Sequence, residues 1–348
     1  MVEGDNGMGD VSVLVLRAAG INCDEETVHC WRLAGAAPTL AHVNELAESP
    51  SMLDDHTIVT IPGGFSYGDD IAAGTILAHR IHQAVAEPLR AFVDRGGGVL
   101  GICNGFQVLV KMGLLPGGEF GRDQVTVTYN DSAKFEARWV RLEISTDKCP
   151  FLTPQRRAVQ GGTEPAGVTR TAHAAGAMPS DPRTGGFGPG GTASLAIPHL
   201  GQGRGGTGPV EERAAKYDMH VATRASRSER DPADLIRDPS VLEMPVEHAE
   251  GKVVTASDTV ALDLLSRGQV ALRYIDAEGN FDRYPANPNG SSFGIAGLCD
   301  PTGRVFGLMP HPDRHFDHTQ HPLWTRRTPT GPPDGLTVFL NAVRHWGA

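Results

Sequence analysis

The chain has 348 residues, 40% hydrophobic and 21% charged, which is long enough to bury one large core or two ordinary ones. Its 41 Asp and Glu outnumber 31 Lys and Arg, and the formal net charge of -10 argues against a surface that binds a polyanion along its whole length. No apolar run approaches membrane-spanning length, the start Met1-Val2-Glu3-Gly4-Asp5 lacks a signal-peptide pattern, and the five cysteines are scattered with no CxxC pair, so a reduced, cytoplasmic protein is expected.

Val11 to Leu16 is an apolar, β-rich run that suits the first strand of a parallel sheet. Asp24 to Ala34 has helical spacing, with Gly35 placed to stop it. Ala37 to Val43 reads as a second strand, and Thr57 to Ile61 as a third that ends in Pro62-Gly63-Gly64. Ala72 to Arg95 is mostly helical and is terminated by Gly96-Gly97-Gly98, after which Val99 to Ile102 forms a fourth strand. This alternation predicts an α/β fold with a doubly wound, mostly parallel sheet flanked by helices. Sites in such sheets form at the carboxyl ends of strands.

From Gln124 the texture changes. Val125 to Tyr129 and Phe135 to Ile144 read as longer, antiparallel strands. The stretch from 153 to 240 is rich in Gly, Pro, Ala, Arg and Ser and is expected to be a flexible, low-complexity insertion, since such composition buries little apolar surface. Order returns at Glu243. Gln269 to Tyr274 is a strand, Gly294 to Cys299 and Val305 to Met309 form a hairpin, and Leu336 to Trp346 is a closing helix.

The chemistry centres on Gly101-Ile102-Cys103-Asn104-Gly105-Phe106-Gln107. A strand, a sharp turn with small neighbours and a helix push one side chain out above the sheet, as a nucleophile elbow requires. The helix N-terminus there favours thiolate. A buried core cysteine is the plainer reading, but it gives no reason for glycine on both sides. A thiol nucleophile needs a base, and the base needs an orienting group. His311 and Asp313, in Met309-Pro310-His311-Pro312-Asp313, are the best such pair in the chain, against a capping or surface role for a His after a strand. Backbone N–H groups of Gly64 and Phe65 at a strand end, and of Asn104 after the nucleophile, are the candidate oxyanion donors.

The elbow resembles that of the class I (triad) glutamine amidotransferases. Further motifs resemble the glutaminase subunits of phosphoribosylformylglycinamidine synthases. These are Gly20-Ile21-Asn22-Cys23-Asp24, Pro62-Gly63-Gly64-Phe65-Ser66-Tyr67-Gly68-Asp69, Phe135-Glu136-Ala137-Arg138-Trp139, Tyr284-Pro285-Ala286-Asn287-Pro288-Asn289-Gly290 and Met309-Pro310-His311-Pro312. The likeness covers residues 11 to about 150 and 243 to 346. It implies a flavodoxin-like amidotransferase domain over residues 9–348, interrupted by the insertion at 153–240. The family usually has Glu where this chain has Asp313, and its Ala-His-Gly-Glu-Gly motif reads here Glu247-His248-Ala249-Glu250-Gly251.

The resemblance implies Cys103, His311 and Asp313 as the triad, with Gly64, Phe65 and Asn104 around the oxyanion. Gln107 either touches the substrate glutamine or packs its helix, and His248 and Glu250 line either the site or a partner interface. It further implies ammonia transfer to a synthetase subunit, with a small accessory subunit in the same complex and no nucleic acid or membrane as partner. No cofactor is held tightly by this chain; ATP and Mg are used by the synthetase, and no P-loop occurs here. The alternatives are a stand-alone cysteine hydrolase of related fold, a non-catalytic partner subunit, and a metal site from His311, His315, His318 and His321. Pro312 and Pro322 speak against the last by breaking the helix it would need.

Overall fold

The run Ser12–Arg17 forms β1, whose four central side chains are buried, as a parallel strand covered on both faces requires. The computed structural model describes residues 11–118, 120, 123–152 and 240–348, so the expected insertion lies, apart from Ser240, outside the described residues. From β1 the chain winds both ways. Helix α1 (Asp24–Leu33) returns it to β2 (Ala37–His42), which pairs parallel to β1 with Ser12 opposite Ala37. Helix α2 (Val43–Glu48) and a 3-10 turn lead to β3 (Ile58–Ile61), parallel to β1 on its other edge with Val13 opposite Ile58. Helix α3 (Thr75–Asp94) leads to β4 (Gly98–Ile102), and α4 (Asn104–Met112) follows.

β4 also pairs in parallel with β11 (Val305–Leu308), giving the parallel order β2-β1-β3-β4-β11. The winding reverses between β1 and β3, and right-handed crossovers put the helices of the two directions on opposite faces. α1 packs on the closing helix α6 (Asp334–Trp346), where Trp31 and Phe339 meet edge to face at 4.9 Å. α3 and α4 lie together.

Beyond β11 the sheet continues antiparallel through β10 (Ile295–Cys299), β9 (Val270–Ile275), β6 (Glu136–Ile144) and β7 (Val241–His248), nine strands among the described residues. The hairpin expected at Pro301-Thr302-Gly303 sets Gly297 opposite Leu308. β5 (Val125–Thr128) and β8 (Lys252–Thr255) form a separate two-stranded ladder. The parallel part with an antiparallel extension is the architecture expected from the sequence. No helix among the described residues is long and apolar enough to cross a membrane.

Two local readings are corrected and one helix is added. Val43 opens α2 instead of closing β2, because His42 caps that helix: its Nδ1 accepts from Asn44 N at 3.2 Å, and its own N–H donates to Glu45 Oε1 at 3.3 Å. α3 begins at Thr75 and not at Ala72, since Gly74 before it is left-handed at φ 74°. Helix α5 (Asp258–Ser266) was not expected, though Ser257 is a plain N-cap whose hydroxyl accepts from Val260 N.

Candidate active site

The carboxyl ends of β1, β3, β4 and β11 meet where the winding reverses, and the candidate residues stand there. Cys103 joins β4 to α4 at φ 49° and ψ -103°, a strained conformation for a residue with a side chain. A Cβ at Gly101 would lie 2.7 Å from Gly105 O, and one at Gly105 would lie 1.9 Å from Ile61 O. The two glycines let the turn close against itself and against β3. The first turn of α4 carries no acidic residue. Its N–H groups, beginning with Asn104, have no partner within the helix. The thiol of Cys103 donates to Glu247 O at 3.6 Å and lies within hydrogen-bonding reach of His311.

β11 runs out through Pro310 into His311, whose N–H donates to Pro245 O at 2.8 Å. The next residues form a 3-10 turn, Pro312–Arg314, that curls Asp313 back under the ring. His311 Nδ1 and Asp313 Oδ1 are 3.1 Å apart, so the shorter Asp reaches the imidazole through the tightness of this turn. Asp313 is fully buried, and its other oxygen faces Thr27 Oγ1 on α1 at 3.2 Å. Burial alone would pull the His311 pKa down; its neighbours Cys103 and Asp313 outweigh burial and hold the pKa well above its ordinary value. A Cβ at Gly63 would come within 2.7 Å of His311 Cε1, so glycine lets the end of β3 lie against the ring.

The loop after β3 is pinned to the loop after β1. Phe65 N–H donates to Gly20 O at 2.8 Å, and Cys23 N–H donates to Gly63 O at 3.3 Å. Gly64 sits between these bonds at φ 147°, with its Cβ position 2.7 Å from Ile21 Cα. Phe65 is thereby corrected as an oxyanion donor: its N–H is spent on Gly20, and its half-exposed ring faces Phe135. Gly64 and Asn104 are the donors whose N–H groups these bonds do not use.

Gln107 is buried. Its Oε1 accepts from Asn104 Nδ2 at 2.9 Å and its Nε2 donates to Glu250 O, which ties α4 to the segment after β7. His248 and Glu250 are buried too. Asn130 Nδ2 donates to His248 O and Lys134 O while its Oδ1 accepts from Gly251 N, so His248 Nδ1 carries a proton toward that Oδ1 at 3.1 Å. Burial, then the nearby His311 charge, lowers the His248 pKa to about 3. It is a neutral imidazole whose Nε2 has no hydrogen-bond partner among the described residues.

Cys23, Thr27 and Arg314 also reach the site, and reasoning from sequence gave them no role. The signal available was the Gly20 to Asp24 motif, which carries no chemical meaning until α1 is docked beside β11. Among the described residues, Cys23 Sγ, a His311 ring nitrogen and an Asp313 oxygen all lie within 4.8 Å of one another. The four-histidine alternative is not brought together. His315 Nδ1 bonds Glu243 O, His318 Nε2 bonds Gly331 O and His321 Nε2 faces Glu243 Oε2.

The CobB/CobQ-like glutamine amidotransferase domain family matches residues 10–178 and 210–346. That match passes both edges of the 153–240 stretch and leaves 179–209 uncovered within it. The phosphoribosylformylglycinamidine synthase subunit PurQ of Dehalococcoides mccartyi is 31% identical over 339 residues, covering 97% of this chain and 98% of that one. The same-named subunit of Archaeoglobus fulgidus is 30% identical over 350 residues, covering 96% of each. The structure of PurLQS from Thermotoga maritima matches with a TM-score of 0.55 at 23% identity, over 97% of this chain and 99% of that one, which is a likeness of fold. A thiol on a strained strand-to-helix turn, a buried histidine held by a carboxylate and a match over most of the sequence agree: the chain belongs to the CobB/CobQ-like glutamine amidotransferases.

Proposed function

We propose that this chain is the glutaminase subunit of a phosphoribosylformylglycinamidine synthase of purine biosynthesis. The observation that carries the reading is the Cys103 thiol at its elbow, within reach of a His311 whose Nδ1 is held by Asp313. The names of the relatives over nearly the full chain support the choice of complex.

In this reading Cys103 Sγ attacks the side-chain amide carbon of glutamine as its proton passes to His311. The S–C bond forms, and the amide oxygen takes negative charge beside the N–H groups of Gly64 and Asn104. His311 then gives its proton to the amide nitrogen, the C–N bond breaks and ammonia leaves. Water, deprotonated by His311, attacks the thioester and releases glutamate with the thiol restored. Asp313 keeps the Nδ1–H tautomer and stabilises the imidazolium. Ammonia passes to a synthetase subunit, which uses ATP and Mg to convert formylglycinamide ribonucleotide to its amidine, with a small accessory subunit in the same cytoplasmic complex.

The test is reconstitution with the synthetase. Glutamine and ammonium salt should each support amidine synthesis by the parent complex, and Cys103→Ser should retain only the ammonium reaction. Loss of both reactions in that variant would contradict the division of labour. Glutamine hydrolysis by the parent chain that never feeds a synthetase would favour a stand-alone hydrolase, and no hydrolysis under any condition would favour a non-catalytic subunit.

A further inference from the structure

Arg314 follows Asp313 in the turn that carries the proposed triad, yet the proposed chemistry makes no use of it. Its guanidinium reaches two elements. Toward α1, Nη2 donates to Cys23 Sγ at 3.3 Å and to Glu26 Oε1 at 3.4 Å. Toward the end of β7, Nη1 pairs with Glu247 Oε2. The backbone oxygen of this same Glu247 accepts the Cys103 thiol at 3.6 Å, and Cys23 Sγ stands beside the His311 ring, within 4.8 Å of one of its nitrogens. These contacts form a chain from Cys103 to Glu247, from Glu247 to Arg314 and from Arg314 to Cys23, which ends beside the His311 ring.

A planar fork with several fixed donors can hold partners on two sides at once, which a point charge such as Lys does less well. The side chains of Arg314, Glu26 and Glu247 are 30%, 27% and 36% exposed, so their pairing adds little to stability. Its consequence is geometric. Glu247 sets where the thiol points, Cys23 bounds the ring that must meet it, and Arg314 connects the two. A displacement of about 1 Å between reacting groups can cost about a hundredfold in rate.

We propose that Arg314 is a positioning residue for the glutaminase reaction, tying Glu247 to Cys23 so that Cys103 Sγ stays set against His311. The proposal rests on the glutaminase reading above. The test uses the complex reconstituted with its synthetase and compares the parent with Arg314→Gln, Arg314→Lys, Glu247→Gln and the Arg314→Gln/Glu247→Gln double variant. Glutaminase kcat should fall about tenfold or more in Arg314→Gln with KM for glutamine within about threefold, and Arg314→Lys should recover part of the loss. The double variant should be no slower than Arg314→Gln, since both changes cut one connection. Alkylation of Cys103 by iodoacetamide should slow in the same order, and ammonium-dependent synthesis should persist as the check on folding. If Arg314→Gln fails that check, Glu247→Gln alone tests the same connection by the same kcat criterion.

Parent-like kcat in Arg314→Gln and in Glu247→Gln, multiplied losses in the double variant, or a rise in KM alone would overturn the proposal, the last by making Arg314 a substrate contact. A parent complex that does not hydrolyse glutamine would instead refute the underlying reading, a result distinct from parent activity with silent variants.

Discussion

Cys103 and Cys23 both sit at a helix N-terminus, both are buried, and both reach His311. Their surroundings differ in backbone turn and in neighbouring charge. Cys103 stands at φ 49° on a turn made possible by glycines at 101 and 105, with no acidic residue in the helix turn that follows. Cys23 stands at φ -104°, and Asp24, Glu25 and Glu26 follow it. Its thiol donates to Asn22 Oδ1 at 3.4 Å and accepts from Arg314. Burial pushes the Cys23 thiol up from its ordinary value of 9.0, and the Asp313 charge adds to this against the pull of His311 and Arg314. A helix N-terminus and a neighbouring histidine therefore do not make a nucleophile; the backbone turn and the local charges decide between two otherwise similar thiols.

The sharpest break of this comparison is Cys103→Ser, which should lower glutamine-dependent turnover by about a thousandfold or more, read in a glutamate-release assay. Gly105→Ala comes next. Its methyl would meet Ile61 O at 1.9 Å, so the elbow must open, and glutaminase kcat should fall by about a hundredfold with Cys103 still present. Asp313→Asn removes the carboxylate charge facing His311 Nδ1 while leaving the shape, and kcat should fall about tenfold or more, less than in a serine enzyme because a thiol depends less on the third group. Parent activity in Asp313→Asn with His311→Ala inactive would reduce the triad to a dyad. Cys23→Ser should cost only about two- to threefold, since a hydroxyl can still meet both the ring and Arg314.

A pH series sharpens the same contrast. Because the Cys23 pKa is raised, its thiolate fraction is small at pH 7 to 8 and grows only above about 9. Alkylation at Cys23 should thus climb with pH in the range above 9, as followed by peptide mass spectrometry. Early labelling of Cys23 at neutral pH would break the comparison.

Much of the site was legible because its determinants are local. Glycines two residues either side of Cys103 announce an elbow, and His311 with Asp313 two residues on announces a held imidazole. The parallel strands were equally plain as short apolar runs between helices. What could not be read depends on contacts between segments far apart. Arg314 and Cys23 are 291 positions apart and meet only because β1 and β11 end on the same edge. Phe65 looked like a donor until the docking of Gly20 used its N–H. Gln107 and Glu250 come together across 143 positions, which no spacing rule reveals. The short helix α2 was hidden for a different reason: His42 is an unusual cap, and the apolar Val43 after it suits a strand as well as a helix.

The account's central claim is that the elbow, and not contact with His311, selects the nucleophile. A glutamine-analogue electrophile offered at neutral pH, followed by intact-mass and peptide mapping, tests it most directly. The account predicts one adduct per chain, on Cys103, lost in Cys103→Ser and retained in Cys23→Ser. An adduct on Cys23, or equal labelling of the two thiols, would contradict it.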